Sequence, residues 1–162
     1  KYRYFKIKPF NIKNDKKIIS KKLLYLFAPL EQTSNYGLDL NKTYENIFSY
    51  IAKNFEEIDV KIHPTLKDSH WLKKLSQKVK INYLSGNLPA EYYLLNYNSI
   101  FVNFVSNSIK HYLENRNNYE KKFYSFINLV EFEHPMVKAK FYQMFDVVYC
   151  NFEKKIIKVL KN

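Results

Sequence analysis

The 162-residue chain is 46% hydrophobic and 18% aromatic, with 2 Gly and a single cysteine, Cys150. This composition predicts a protein with a buried core and excludes a disordered, collagen-like or linker-rich chain, a disulfide-stapled module and a zinc finger. The net charge of +12 is concentrated in residues 1–22, where nine Lys and Arg accompany one Asp; the rest of the chain carries only +4, which disfavours nucleic acid as a partner.

The first half of the chain alternates short apolar runs with helical patterns. An unbroken apolar run inside 22–29 predicts a buried strand. Apolar side chains recur at helical spacing over 44–55 and predict an amphipathic helix with Asn41 as its N-cap. Apolar and charged side chains alternate over 58–62 and predict a second strand that ends at His63.

The alternation continues in the middle of the chain. Asp68 or Ser69 caps a predicted helix at 71–75, which is followed by a third strand at 79–83. Pro89 then opens a helical turn, in a position where proline is favoured.

The C-terminal half begins with a predicted fourth strand at 100–105, after which Ser106 caps a helix at 109–113. One further strand and two helices are predicted at 123–130, 136–145 and 152–161. Short strands that alternate with helices are typical of a parallel sheet with helices on both faces. We therefore predict an α/β fold of the Rossmann-like class.

Two segments are expected: a basic leader or inter-domain linker at 1–21 and the folded domain at 22–162. The leader has three open interpretations, namely a solvated surface, a contact with a preceding domain and a surface against anionic lipid. The chain begins with Lys1, which suggests a processed product or a piece of something longer. No apolar run reaches the length of a membrane span and no signal-peptide pattern opens the chain, so neither feature is predicted.

Ligands of a doubly wound sheet bind beyond the carboxyl ends of its strands, so the residues after each strand are the candidates. They are 31–35 after the first strand, His63, Pro64 and Thr65 after the second, Ser85, Gly86 and Glu91 after the third, and Ser106, Asn107 and Ser108 after the fourth. A histidine and hydroxyls at a helix start supply donors for a phosphate. A carboxylate accepts from ribose hydroxyls or a base amino group. With two glycines, the chain contains neither the dinucleotide fingerprint nor a Walker sequence.

Three short motifs follow one another: VKIHP at 60–64, LPAE at 88–91 and FVSNS at 104–108. In this order they resemble the C-terminal nucleotide-binding half of bacterial GT-B sialyltransferases, over about residues 22–130. The nearest resemblance is to the lipooligosaccharide sialyltransferases of glycosyltransferase family 52 and to the capsule polysialyltransferases.

The resemblance implies a donor site for CMP-sialic acid that needs no cofactor and no metal. His63 would contact the donor phosphate and help the CMP leave, with Pro64 beside it at the donor-binding site. Glu91 would hold the cytidine. Ser106 would bind the phosphate together with Asn107 or Ser108. The family motif usually has two adjacent serines, and Asn107 separates them here, so the second hydroxyl is left open.

The resemblance also implies what lies outside the chain. The family's general base belongs to an acidic, glycine-containing motif in the N-terminal half, and this sequence has no such motif. The implied partners are that missing half, the nucleotide-sugar donor and a glycan or glycolipid acceptor. The implied location is the bacterial cytoplasm, with peripheral contact between the basic leader and the anionic inner membrane.

Each site residue also has a purely structural interpretation. His63 is compatible with a strand-end histidine bonded to backbone, Glu91 with a first-turn acid favoured by the helix dipole, and Ser106 with a helix cap. Two other functions stay open. One is a CDP-glycerol or CDP-ribitol polymer transferase, and the other is a non-enzymatic basic module that binds nucleic acid or anionic membrane.

Overall fold

A parallel β-sheet with helices on both faces forms the centre of the molecule. The computed structural model describes residues 23–28, 30, 37–66, 69–115, 121–149 and 157–159. Within these residues the strands are β1 Leu23–Phe27, β2 Glu57–Ile62, β3 Lys80–Tyr83, β4 Ser99–Val102, β5 Lys122–Ser125 and β6 Ile157–Val159. The helices are α1 Leu40–Asn54, α2 His70–Ser76, α3 Ala90–Leu94, α4 Asn107–Asn115 and α5 Pro135–Tyr149, with a 3₁₀ turn at Ile127–Leu129.

The strands lie in the order β3-β2-β1-β4-β5-β6, and every neighbouring pair among the described strands is parallel. The chain therefore winds outward from β1 to β3 on one side and returns to β4 on the other. This order is that of the Rossmann fold, which places a crevice between the carboxyl ends of β1 and β4, where the winding direction changes. The predicted Rossmann-like α/β fold is confirmed.

Two hydrophobic clusters cover the two faces of the sheet. Side chains alternate across β1, so Leu23, Tyr25 and Phe27 join one cluster with α1 and α2, while Leu24 and Leu26 join the other with α3, α4 and α5. Both clusters contain the central strand, which explains its unbroken apolar sequence: β1 has no wet face. β1 is therefore the strand whose side chains are buried in both hydrophobic clusters, one on each face of the sheet.

The N-cap of α1 is one correction to the sequence prediction. The helix begins at Leu40, and the carboxylate of Asp39 accepts the backbone N–H of Lys42 at 3.0 Å. Asn41 therefore lies inside the first turn rather than at the cap. At α2, Ser69 occupies the N-cap, but its buried hydroxyl has no hydrogen-bond partner among the described residues; Asp68 lies outside the described residues.

The strands predicted at 100–105 and 123–130 are both shorter than expected. β4 ends at Val102 because the side chain of the next residue, Asn103, bonds to the end of β1. β5 ends at Ser125, whose hydroxyl donates to the Phe104 carbonyl at 2.8 Å and accepts the Ile127 N–H at 3.3 Å. These side-chain bonds replace ladder bonds and start the 3₁₀ turn.

The last predicted helix, 152–161, is wrong. Residues 157–159 form β6, which pairs parallel with β5. The sequence there places β-branched Ile157 and Val159 on either side of Lys158, which favours a strand over a helix. Residues 1–22, 31–35 and Cys150, on which other expectations rest, lie outside the described residues.

A buried polar network lies on the face of β2 that is covered by α3. Asp59 is 4% exposed, although it alternates with apolar residues in a way typical of a strand with one wet face. Its carboxylate accepts from the Tyr97 hydroxyl at 2.5 Å and from the Asn82 amide at 2.8 Å. Burial, together with the bond to Asp59, raises the pKa of the Tyr97 hydroxyl well above its ordinary value.

Tyr97→Phe is expected to lower the free energy of unfolding by about 1–3 kcal/mol at pH 7, because a buried carboxylate loses a donor. Unfolded Tyr97 ionises near pH 10.0, whereas the folded hydroxyl keeps its proton. The difference between the two proteins should therefore shrink as the pH rises above about 10. Urea unfolding at pH 7 and over pH 9–11 measures both effects. The control Tyr83→Phe changes a hydroxyl on a side chain that is 54% exposed, and equal losses in the two variants would contradict the prediction.

No helix in the described part of the chain has the length and apolar character that a membrane span requires.

Candidate functional site

A cavity of about 380 Å³ opens at the carboxyl ends of β1, β2 and β4. Its volume falls within the range of small-molecule sites, about 300–1,000 Å³. The six residues predicted to form the site all line it: His63, Pro64, Glu91, Ser106, Asn107 and Ser108. They come from three segments that are well separated in sequence and meet because parallel strands place their carboxyl ends at one edge.

His63 directly follows β2 and is exposed to the cavity. Its backbone N–H donates to the Phe27 carbonyl at 2.9 Å, which extends the β1–β2 pairing to the cavity edge. Ring Nδ1 lies 3.3 Å from the Thr65 N–H and 2.8 Å from the Thr65 hydroxyl. A neutral ring that accepts the Thr65 N–H at Nδ1 carries its proton on Nε2, so Nε2–H is the donor left for a ligand.

Glu91 lies in the first turn of α3, which begins after Pro89. Pro89 is the N-cap of this helix rather than its first residue, with φ −65° and ψ 156°. The Glu91 side chain is exposed and lines the cavity. A carboxylate is the acid expected in a first turn, and it is also an acceptor within reach of a molecule in the cavity.

Ser106, Asn107 and Ser108 form the entry to α4. The Ser106 hydroxyl accepts the Ile109 N–H at 3.4 Å and the Ser106 carbonyl accepts the Lys110 N–H at 3.1 Å, so the predicted cap is confirmed. The first N–H groups of a helix have no acceptor within the helix. No acidic side chain lies in the first turn of α4. The start of this nine-residue helix therefore turns a donor-rich, electropositive end to the cavity.

Lys61 was not predicted for the site, yet it lines the cavity and is only 4% exposed. Its ammonium donates to the Ser85 carbonyl at 3.0 Å and to the Gly86 carbonyl at 3.2 Å. Burial lowers the pKa of the Lys61 ammonium. The one sequence signal for it is a lysine two residues before the histidine, inside a strand whose polar and apolar residues alternate.

Asn103 is the second lining residue that the sequence did not reveal, and it is 2% exposed. Its amide nitrogen donates to the Ala28 carbonyl at 2.7 Å, and its amide oxygen accepts from the Tyr25 hydroxyl. One side chain thus joins the end of β4 to both the backbone and a side chain of β1. Asn103 therefore lines the crevice floor, the part of the cavity between the carboxyl ends of β1 and β4.

The remaining candidates do not all reach the cavity. Ser85 and Gly86 are not among its lining residues, and their carbonyls face Lys61 instead. Thr65 acts through its bonds to the ring of His63. Residues 31–35, expected after β1, lie outside the described residues.

Comparison of the chain with protein-family models, with curated proteins and with solved structures finds no match. The function therefore has to be argued from the cavity and from the motifs that line it.

Proposed function

We propose that the chain is the donor-binding domain of a bacterial GT-B sialyltransferase that uses CMP-sialic acid in the synthesis of surface lipooligosaccharide or capsule polysaccharide. The observation that supports this proposal is that His63, Glu91 and Ser106 line one cavity. Each belongs to a different motif of the resemblance. A fold that placed any of the three elsewhere would have removed the basis of the proposal.

The cavity separates the tasks that a cytidine monophosphate donor requires. The phosphate lies against the start of α4, where Ser106 and the first N–H groups of the helix donate. Glu91, on the α3 side, accepts from the cytosine amino group. Among the described lining residues, His63 presents its ring N–H to the phosphate, and Glu91 is the one carboxylate and faces the nucleoside.

His63 assists the departure of CMP. When the bond between the sugar carbon and the phosphate oxygen breaks, the electron pair stays on that oxygen. The Nε2–H of His63 donates to the phosphate and stabilises the charge that develops there. Thr65 keeps the ring in the required tautomer through Nδ1. The acceptor hydroxyl loses its proton to a base that this proposal places in another part of the enzyme.

Calorimetric titration of the chain with CMP and with UMP tests the proposal, since these ligands differ only in the base. We expect CMP to bind at least about tenfold more tightly, because uracil has no amino group to donate to Glu91. No detectable CMP binding, or equal affinity for both nucleotides, would contradict the proposal. Titration with CMP-sialic acid and CDP-glycerol separates a sialyltransferase from a glycerol-phosphate polymer transferase.

Glu91→Gln is expected to weaken CMP binding about tenfold and to leave UMP binding nearly unchanged, because the cytosine amino group would then donate to a neutral amide oxygen instead of a carboxylate. The preference for cytidine should therefore disappear. Glu133→Gln is the matched control, since Glu133 is exposed and is not among the cavity's lining residues. Calorimetry of both variants measures the effect. An unchanged ratio of CMP to UMP affinity in Glu91→Gln would mean that Glu91 does not contact the base and only stabilises the N-terminal end of α3.

A further inference from the structure

The loop between β3 and α3, residues 84–89, is held by one buried cation. Lys61 donates to the carbonyls of two consecutive loop residues, Ser85 and Gly86. The loop is also tied at its start, where the Leu84 N–H donates to the Val60 carbonyl at 3.0 Å. The last two loop residues, Leu88 and Pro89, line the cavity together with Ala90 and Glu91 at the start of α3.

Steric packing does not hold the middle of this loop. A Cβ atom built on Gly86 would meet no heavy atom within 4 Å, and residues 85–89 are all exposed. The two carbonyl bonds to Lys61 are therefore the long-range polar anchors of the loop, supported by the Tyr93 hydroxyl, which donates to the Ser85 carbonyl at 3.3 Å. A loop anchored so sparsely depends on its few hydrogen bonds.

The chemistry of Lys61 favours anchoring over direct phosphate binding. An ammonium has three protons, and two of them already point to loop carbonyls. The ammonium also lies 6.0 Å from the centre of the Tyr93 ring, on the α3 side. A buried cation costs free energy that an apolar side chain in the same place would not, and the two bonds to loop carbonyls offset part of that cost.

We propose that Lys61 is a positioning residue for the nucleoside end of the cavity: it fixes the 84–89 loop and, through the loop, the location of Glu91. This inference rests on the proposed function, since it assigns the Glu91 side of the cavity to the nucleoside. We expect the phosphate end at Ser106 to depend less on Lys61, because α4 follows β4 in the chain and the Ser106 hydroxyl is bonded within its own helix.

Lys61→Met tests the inference, because methionine fills a similar volume without donors. We expect amide hydrogen exchange of residues 84–91 to become about tenfold faster while exchange in β1 and β4 stays unchanged. Affinities for cytidine and for CMP should fall by the same factor, about tenfold, and affinity for inorganic phosphate should not change. Lys80→Met is the control, since the Lys80 side chain is 69% exposed on the neighbouring strand.

Two outcomes would overturn the inference. Weaker CMP binding with unchanged cytidine binding would make Lys61 a direct phosphate ligand, and unchanged exchange at 84–91 would make it a core residue only. Should Lys61→Met not fold, Lys61→Gln, which removes the charge but keeps an N–H₂ donor on a shorter side chain, is measured in its place. A wild-type chain that binds neither cytidine nor CMP contradicts the proposed function, whereas the exchange measurement still decides whether Lys61 anchors the loop.

Discussion

His63→Ala is expected to slow cleavage of CMP-sialic acid about 10²–10⁴-fold, the usual contribution of a positioned proton donor or acceptor. Under the proposed function, the measurement is turnover of CMP-sialic acid, followed as release of CMP. The free energy of unfolding should change by no more than about 0.5 kcal/mol, because His63 is exposed and, among the described residues, its ring bonds only to its neighbour Thr65. His63→Ala is thus expected to lower activity strongly without a comparable loss of stability.

The chain contains a matched control for this experiment. His134 precedes another proline, and its ring Nδ1 accepts the Met136 N–H at 3.2 Å, the same local contact that His63 makes with Thr65. His134 is not among the residues that line the cavity. His134→Ala should therefore leave turnover unchanged, so the pair isolates the effect of the cavity from that of the local turn.

Equal turnover in His63→Ala and wild type would remove His63 from the mechanism and leave it as a strand-end residue. A loss of turnover accompanied by an equal loss of CMP affinity would assign His63 to ground-state binding instead of to the departure of CMP. The expected result is a large fall in kcat with a small change in the affinity for CMP.

Asn103→Ala is expected to destabilise the protein by about 3 kcal/mol, the largest effect on stability that we predict. It removes a donor from the Ala28 carbonyl and an acceptor from the Tyr25 hydroxyl, and burying each of these groups without a partner costs about 1–3 kcal/mol. Tyr25 is fully buried, so its hydroxyl depends on the Asn103 amide for this bond. Urea unfolding at pH 7 measures the loss.

A double-mutant cycle with Tyr25→Phe separates the contribution of the Asn103–Tyr25 bond from that of the Asn103–Ala28 bond. If the hydroxyl and the amide act together, the double variant should lose clearly less than the sum of the single variants. Asn54→Ala is the control, because Asn54 is exposed and its amide donates to the Tyr50 carbonyl one turn earlier on the same helix. Losses for Asn103→Ala as small as those for Asn54→Ala would show that the crevice floor does not depend on this side chain.

The sheet and the position of the candidate residues at one cavity were predictable from sequence because they depend on local patterns. An unbroken apolar run identifies β1, and the rule that parallel strands end at one edge brings His63 and Ser106 together. Neither inference requires knowledge of a distant contact.

The residues that sequence analysis missed depend on such contacts. Lys61 looks like the polar residue of an alternating strand, and its carbonyl partners lie 24 and 25 residues later in the chain. Asn103 stands inside an apolar run, and its partner Ala28 is 75 residues away. β6 was mistaken for a helix because a short apolar segment fits both periodicities.

The central position of β1 in the sheet affects folding during synthesis and the behaviour of truncated products. Its second edge is covered only when 99–102 pair with it, long after β1 itself has left the ribosome. Until then, a strand of five apolar residues presents unpaired backbone groups to other chains. A product truncated before β4 would keep that edge open permanently and should aggregate, so a stable, smaller version of this domain has to retain β4.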